Sequence, residues 1–128
     1  MRFEIVAPAD VRHGDPVAVR LRLVNVTDRA VTVYLQGRPT AFDIIVTDEA
    51  GQEVWRRMAG QTVTAILGIR ALAPNESLTF EDVWPQRNSS GGQVPPGRYA
   101  ISGLMPTDGE PLRTAPFQVH IHPAPPLQ

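Results

Sequence analysis

The sequence predicts an all-β fold, an immunoglobulin-like antiparallel two-sheet β-sandwich of about 7–9 strands. Three observations predict it. Apolar and polar residues alternate with period two along most of the chain. Turn-forming residues fall between the alternating runs. No strand–helix–strand alternation of the kind that builds a parallel sheet is visible.

The runs appear in order. Phe3 and Ile5 alternate with Arg2 and Glu4. Val17, Val19, Leu21 and Leu23 alternate with Ala18, Arg20 and Arg22. Val31, Val33 and Leu35 alternate with Thr32, Tyr34 and Gln36, and Phe42, Ile44 and Val46 with Asp43, Ile45 and Thr47. Leu78 and Phe80, then Tyr99 and Ile101, then Phe117, Val119 and Ile121 complete seven clear strands. A short eighth strand is expected around Val54 and Trp55. Thr62–Ile69 reads equally as a strand or a helical turn. Each run has one face for a core and one for water, as antiparallel strands require.

The turns fit this scheme. Gly51 can supply the positive φ of a hairpin after Asp48. His13-Gly14-Asp15-Pro16 opens the second strand, and Pro74-Asn75-Glu76 precedes the Leu78 strand. Tyr99, two residues after Gly97, fits a tyrosine corner, in which the ring packs inward and the hydroxyl bonds upstream backbone. The domain is expected to span 1–122, with an extended Pro-rich tail over 123–128.

Composition narrows the function. The 128 residues carry a net charge of −1, so no footprint for nucleic acid or anionic lipid is expected. All 12 basic residues are Arg, which favours bidentate surface contacts. The absence of Cys, of a signal-peptide-like N-terminus and of a membrane-length apolar run points to a cytoplasmic protein with no membrane association.

Phe42–Trp55 reads FDIIVTDEAGQEVW. Leu72-Ala73-Pro74-Asn75-Glu76-Ser77, Trp84 and Pro96-Gly97-Arg98-Tyr99 follow, and Asn25 ends the second strand. Together these elements resemble the bacterial intracellular proteinase inhibitor family, the BsuPI-type domain, over Val17–Leu104. The resemblance implies a small cytoplasmic sandwich and inhibition of a serine protease, subtilisin-like enzymes being the first class to consider. The family supplies no inhibitory residue pattern to carry over.

Three loops could meet a protease. Gln36–Ala41 offers Arg38, though Pro39 would oppose cleavage after it. Arg56–Gln61 offers Arg57 and Met58, which rank first. Trp84–Gly97 offers Arg87, which ranks next because Ser89-Ser90-Gly91-Gly92 suggests flexibility. The alternative is a non-inhibitory accessory module that binds a partner protein by a sheet face or edge strand. Arg20 with Arg22, or Gln118 with His120 and His122, could supply such a face.

No nucleophile–base pair, Gly-x-Ser-x-Gly elbow or phosphate-cradling loop is present, so no enzyme activity and no cofactor are expected. Asp43 and Asp48 read as solvent-face and turn residues. His120 and His122 lie at i and i+2 on one strand face, the only metal-like pairing. With no further ligand marked in the sequence, no metal site is expected. Trp55 and Trp84 read as core or core-edge residues. All three Asn lie in Asn-x-Ser/Thr sequences and read as turn formers rather than glycosylation sites.

Overall fold

The computed structural model describes residues 1–37, 40–62 and 66–124. These form eleven strands and no helix: β1 (Arg2–Val6), β2 (Asp10–Arg12), β3 (Val17–Val24), β4 (Val31–Gln36), β5 (Asp43–Thr47), β6 (Glu53–Arg56), β7 (Leu67–Leu72), β8 (Ser77–Trp84), β9 (Gly97–Met105), β10 (Leu112–Arg113) and β11 (Phe117–His122). No helix is long and apolar enough to cross a membrane. The strands missing from the sequence reading are short. β2 has three residues and β10 two, too few to display a period. Within Thr62–Ile69, strand begins at Leu67, and 63–65 lie outside the described residues. Leu72 is the only fully buried residue of β7, which explains why the pattern there was ambiguous.

Hydrogen bonding joins the strands as β1-β3-β8, as β2-β11-β9-β5-β6 with β10 beside β9, and as β4-β7. All pairings are antiparallel except β2 with β11, which is parallel. The alternation predicted for β3 holds: Val17, Val19, Leu21 and Leu23 are buried while Ala18, Arg20 and Arg22 are exposed. This face meets Ile44, Val46, Tyr99, Ile101, Met105, Val119 and Ile121 from the larger sheet, and Leu35 and Leu72 from β4 and β7, in one apolar cluster. The two large layers form the immunoglobulin-like sandwich. The β4–β7 pair closes one side of the core.

Buried polar residues fix the connections. Asn25, fully buried, donates to Arg29 O (2.7 Å) and Leu72 O (2.9 Å), while its Oδ1 accepts from Thr27 N (3.0 Å). It thereby ties β3 to the end of β7. A side chain so enclosed is a turn former and cannot accept a glycan. Asp43 departs from its expected solvent-face position. It is 3% exposed, and its carboxylate accepts from Ile44 N, Met58 N and Arg56 Nη1 at 2.9–3.0 Å. Burial of this polar side chain is tolerable because each oxygen is bonded. The turn between β5 and β6 is closed by Asp48, whose Oδ1 accepts from Ala50 N and Gln52 N (2.9 and 3.0 Å), with Gly51 at φ +80°.

Candidate functional site

The loop between β8 and β9 leaves the core at Trp84, which is fully buried and donates from Nε1 to Arg87 O (2.9 Å). Two residues on, Gln86 is also fully buried. Its backbone adopts φ +58°, a conformation uncommon for a residue other than glycine. The turn aims its side chain inward. There its amide donates to Arg12 O (2.8 Å) and Asp15 O (2.6 Å) and accepts from Gly14 N (2.9 Å). The segment after β2 is thereby clamped to the loop. His13 adds a ring-nitrogen bond to Val94 O at 2.8 Å.

Beyond Gln86 the chain forms a small hairpin. Arg87 bridges to Gln93, and Val94 N donates to Gln86 O (2.9 Å). Asn88 organises the tip: its N donates to Gly92 O (2.7 Å), and its Oδ1 accepts from Ser90 N (3.0 Å) and Gly92 N (2.9 Å). Gly91, at φ +91°, donates to Asn88 O (2.9 Å), and Ser89 N donates to Val54 O on β6 (3.0 Å). The sequence suggested a flexible Ser-Ser-Gly-Gly segment, but the structure shows one bonded at nearly every step. The difference arises from Gln86 and Asn88, whose partners are remote or depend on the turn itself.

The loop ends at the tyrosine corner. Tyr99 is buried and its hydroxyl donates to Pro95 O at 2.6 Å. Its ring meets Trp84 edge-on at 5.4 Å. Burial, with Asp48 and Glu49 adding to it, pushes the Tyr99 hydroxyl pKa upward, so the group stays a neutral donor. Beside the hairpin is a cleft of about 530 Å³ lined by Asp48, Glu53, Asn88, Ser89 and Tyr99 among others. The side chains of Arg87, Ser89, Ser90 and Gln93 are exposed on this hydrogen-bonded base.

Arg57 and Met58 are held differently. Arg57 Nε donates to Asp82 Oδ2 (2.6 Å), its Nη1 donates to Phe42 O (2.8 Å), and its guanidinium carbon lies 3.7 Å from the Phe42 ring centre. This is a bonded and stacked cation, with its apolar stem covering the core edge. Met58 is half-buried, with its amide on Asp43. Both residues therefore make contacts within the domain. No hydrogen bond or ion pair among the described residues joins Arg57 or Met58 to Arg87. Arg38 and Pro39 lie outside the described residues. Trp55 is half-buried beside the core, whereas Trp84 is inside it. His120 and His122 face outward, as the alternation requires, and sit beside Asp10, a neighbour the sequence did not reveal.

Residues 5–110 match the model of the family described as intracellular proteinase inhibitor, BsuPI. The chain belongs to this family. The match includes the Asp43 cluster, the Asp48 hairpin, Trp84 and the tyrosine corner, the elements that fix the fold. No curated protein matches the chain.

Solved structures similar to it include the alkylpurine DNA glycosylase AlkC of Pseudomonas fluorescens bound to DNA containing an abasic site analog (13% identity, TM-score 0.49, covering 94% of this chain and 29% of that one). Another is a β-glucosidase of Listeria innocua in complex with glucose (15%, 0.47, 94% and 16%). A third is a CARDB domain from Pyrococcus furiosus in complex with di-metal ions (14%, 0.47, 94% and 85%). The chain thus spans less than a third of the glycosylase or the glucosidase. At these identities and scores no property of the three passes to this family member.

Proposed function

We propose that this BsuPI-family domain inhibits a serine protease in the cytoplasm, with the β8–β9 hairpin as the contact and Arg87 as its leading side chain. The observation that carries the reading is the anchoring of the hairpin through Trp84, Gln86, Asn88 and Tyr99. A loop already ordered in the free protein loses little conformational freedom on binding. Each side chain immobilised only on association would cost about 0.5–1.5 kcal/mol.

The geometry also suggests how such a domain would survive contact. Proteases cleave extended chain. Here the tip is folded back by Asn88 N to Gly92 O and Gly91 N to Asn88 O bonds, so its peptide groups are not available as a substrate strand. The hairpin would act as a wedge across the active-site cleft. The Arg87 side chain is exposed and, among the described residues, its guanidinium donates only to Gly91 O (2.8 Å), so it can swing out to a carboxylate on the enzyme. Subtilisin-like and trypsin-like enzymes are the targets to test, with Arg87→Ala expected to weaken inhibition and the domain recovered uncut. Inhibition that is unchanged in Arg87→Ala but lost in the Arg57→Ala/Met58→Ala double variant would move the contact to the Arg56–Gln61 loop.

A second reading, a non-inhibitory partner-binding module, is favoured by one surface. The outward face of β4 and β7 carries Tyr34 opposite Ile69, with Leu67 beside them; Ile69 is 67% exposed. This uncharged row suits a protein partner. Ile69→Asp would abolish binding there and leave protease inhibition intact.

A further inference from the structure

Val119 and Ile121 fill the core, so Gln118, His120 and His122 share the outer face of β11. β2 lies beside it in parallel register, with Asp10 opposite His120 and Arg12 opposite His122. The frame is held by His120 N to Ala9 O and His13 N to His122 O bonds, both 2.8 Å. Asp10 Oδ1 lies 2.8 Å from His122 Nε2, and the two imidazole rings are 3.9 Å apart between centres. One donor atom from each of the three residues lies within 4.8 Å of the others.

We propose that Asp10, His120 and His122 form a surface binding site for a divalent transition metal, with Zn2+ as the reference ion. Two imidazoles and a carboxylate suit such ions and disfavour Mg2+ and Ca2+, which prefer all-oxygen sets. Tetrahedral ligands at about 2.0–2.1 Å from a zinc ion are about 3.3–3.4 Å apart. The Asp10–His122 separation of 2.8 Å is shorter than that, and no donor pair is more than 4.8 Å apart. Asp10 and His122 are exposed and His120 is half-exposed, so side-chain rotation alone can close the set. The ion would replace the Asp10–His122 hydrogen bond and leave at least one coordination position to water, as three-ligand zinc sites do.

Arg12 and Arg98 are the register neighbours of His122 and His120. Both are exposed, so solvent screens their opposition to the cation. A bound ion would join β2, a strand of three residues, to β11 by coordination as well as by backbone bonds. This inference does not depend on the inhibitor reading.

The test is calorimetric titration of the full chain with Zn2+ after chelator treatment, paired with thermal unfolding with and without the ion. Visible absorption of the Co2+-loaded protein reports the ligand set. One ion per chain is expected, with a Tm that rises with Zn2+ concentration. Asp10→Ala, His120→Ala and His122→Ala should each weaken binding by about tenfold or more, while keeping a folded circular-dichroism spectrum without metal. Absence of binding overturns the proposal, as does binding that persists in the three variants.

Discussion

At the scale of single residues, this domain relies on a few polar side chains enclosed by the core. Gln86 is the clearest. Replacing it with Ala leaves the Asp15 carbonyl and the Gly14 amide without these partners and Arg12 O with only the Asp15 amide, and should cost about 3 kcal/mol in a denaturant titration. Tyr99→Phe removes one hydroxyl bond to Pro95 and should cost about 1 kcal/mol. Asp82 gives a pH signature. Its partial burial opposes ionisation, but the Val83 amide and the Arg57 guanidinium outweigh this and hold its carboxyl below the ordinary value. The folded state therefore binds this proton less readily than the unfolded chain. The resulting stability is complete above the unfolded pKa and disappears as pH falls through the folded one. Asp82→Asn should flatten that part of the acid limb. The effect should be small, since exposed ion pairs contribute roughly 0–1 kcal/mol and Asp82 is 43% exposed.

At the scale of elements, Gly103 on β9 packs closely against Leu21 of β3. A Cβ placed there would stand 2.5 Å from Leu21 Cδ2 and 3.1 Å from Thr114 Cγ2. Leu21 is fully enclosed and has no room to rotate away. Gly103→Ala should therefore destabilise by about 1–3 kcal/mol through overpacking, measurable as a lower denaturant midpoint with unchanged slope. The sequence marked β3, β5, β9 and β11 well because alternation is forced on strands that bury one face. It did not mark β2 and β10, whose pairing is decided by partners far along the chain. Asp43 was read as solvent-facing because its neighbours alternate correctly. Its burial depends on Arg56 and Met58 folding back over it, which no local pattern encodes.

At the scale of the molecule, the candidate contact and the candidate metal site both depend on long-range closure. Arg87 was legible as an exposed loop cation. The anchoring of its loop was not, because it comes from Gln86 reaching the segment 72 residues away at Gly14. His120 and His122 were legible as a same-face pair, but Asp10, 112 residues from His122, enters only through the parallel β2–β11 pairing. The most direct test of the central claim is titration of subtilisin-like and trypsin-like proteases with the purified domain, following residual peptidase activity and the integrity of the domain together. The account predicts stoichiometric loss of activity against at least one enzyme, an uncut domain, and weaker inhibition by Arg87→Ala. Full protease activity at excess domain across both classes would contradict it.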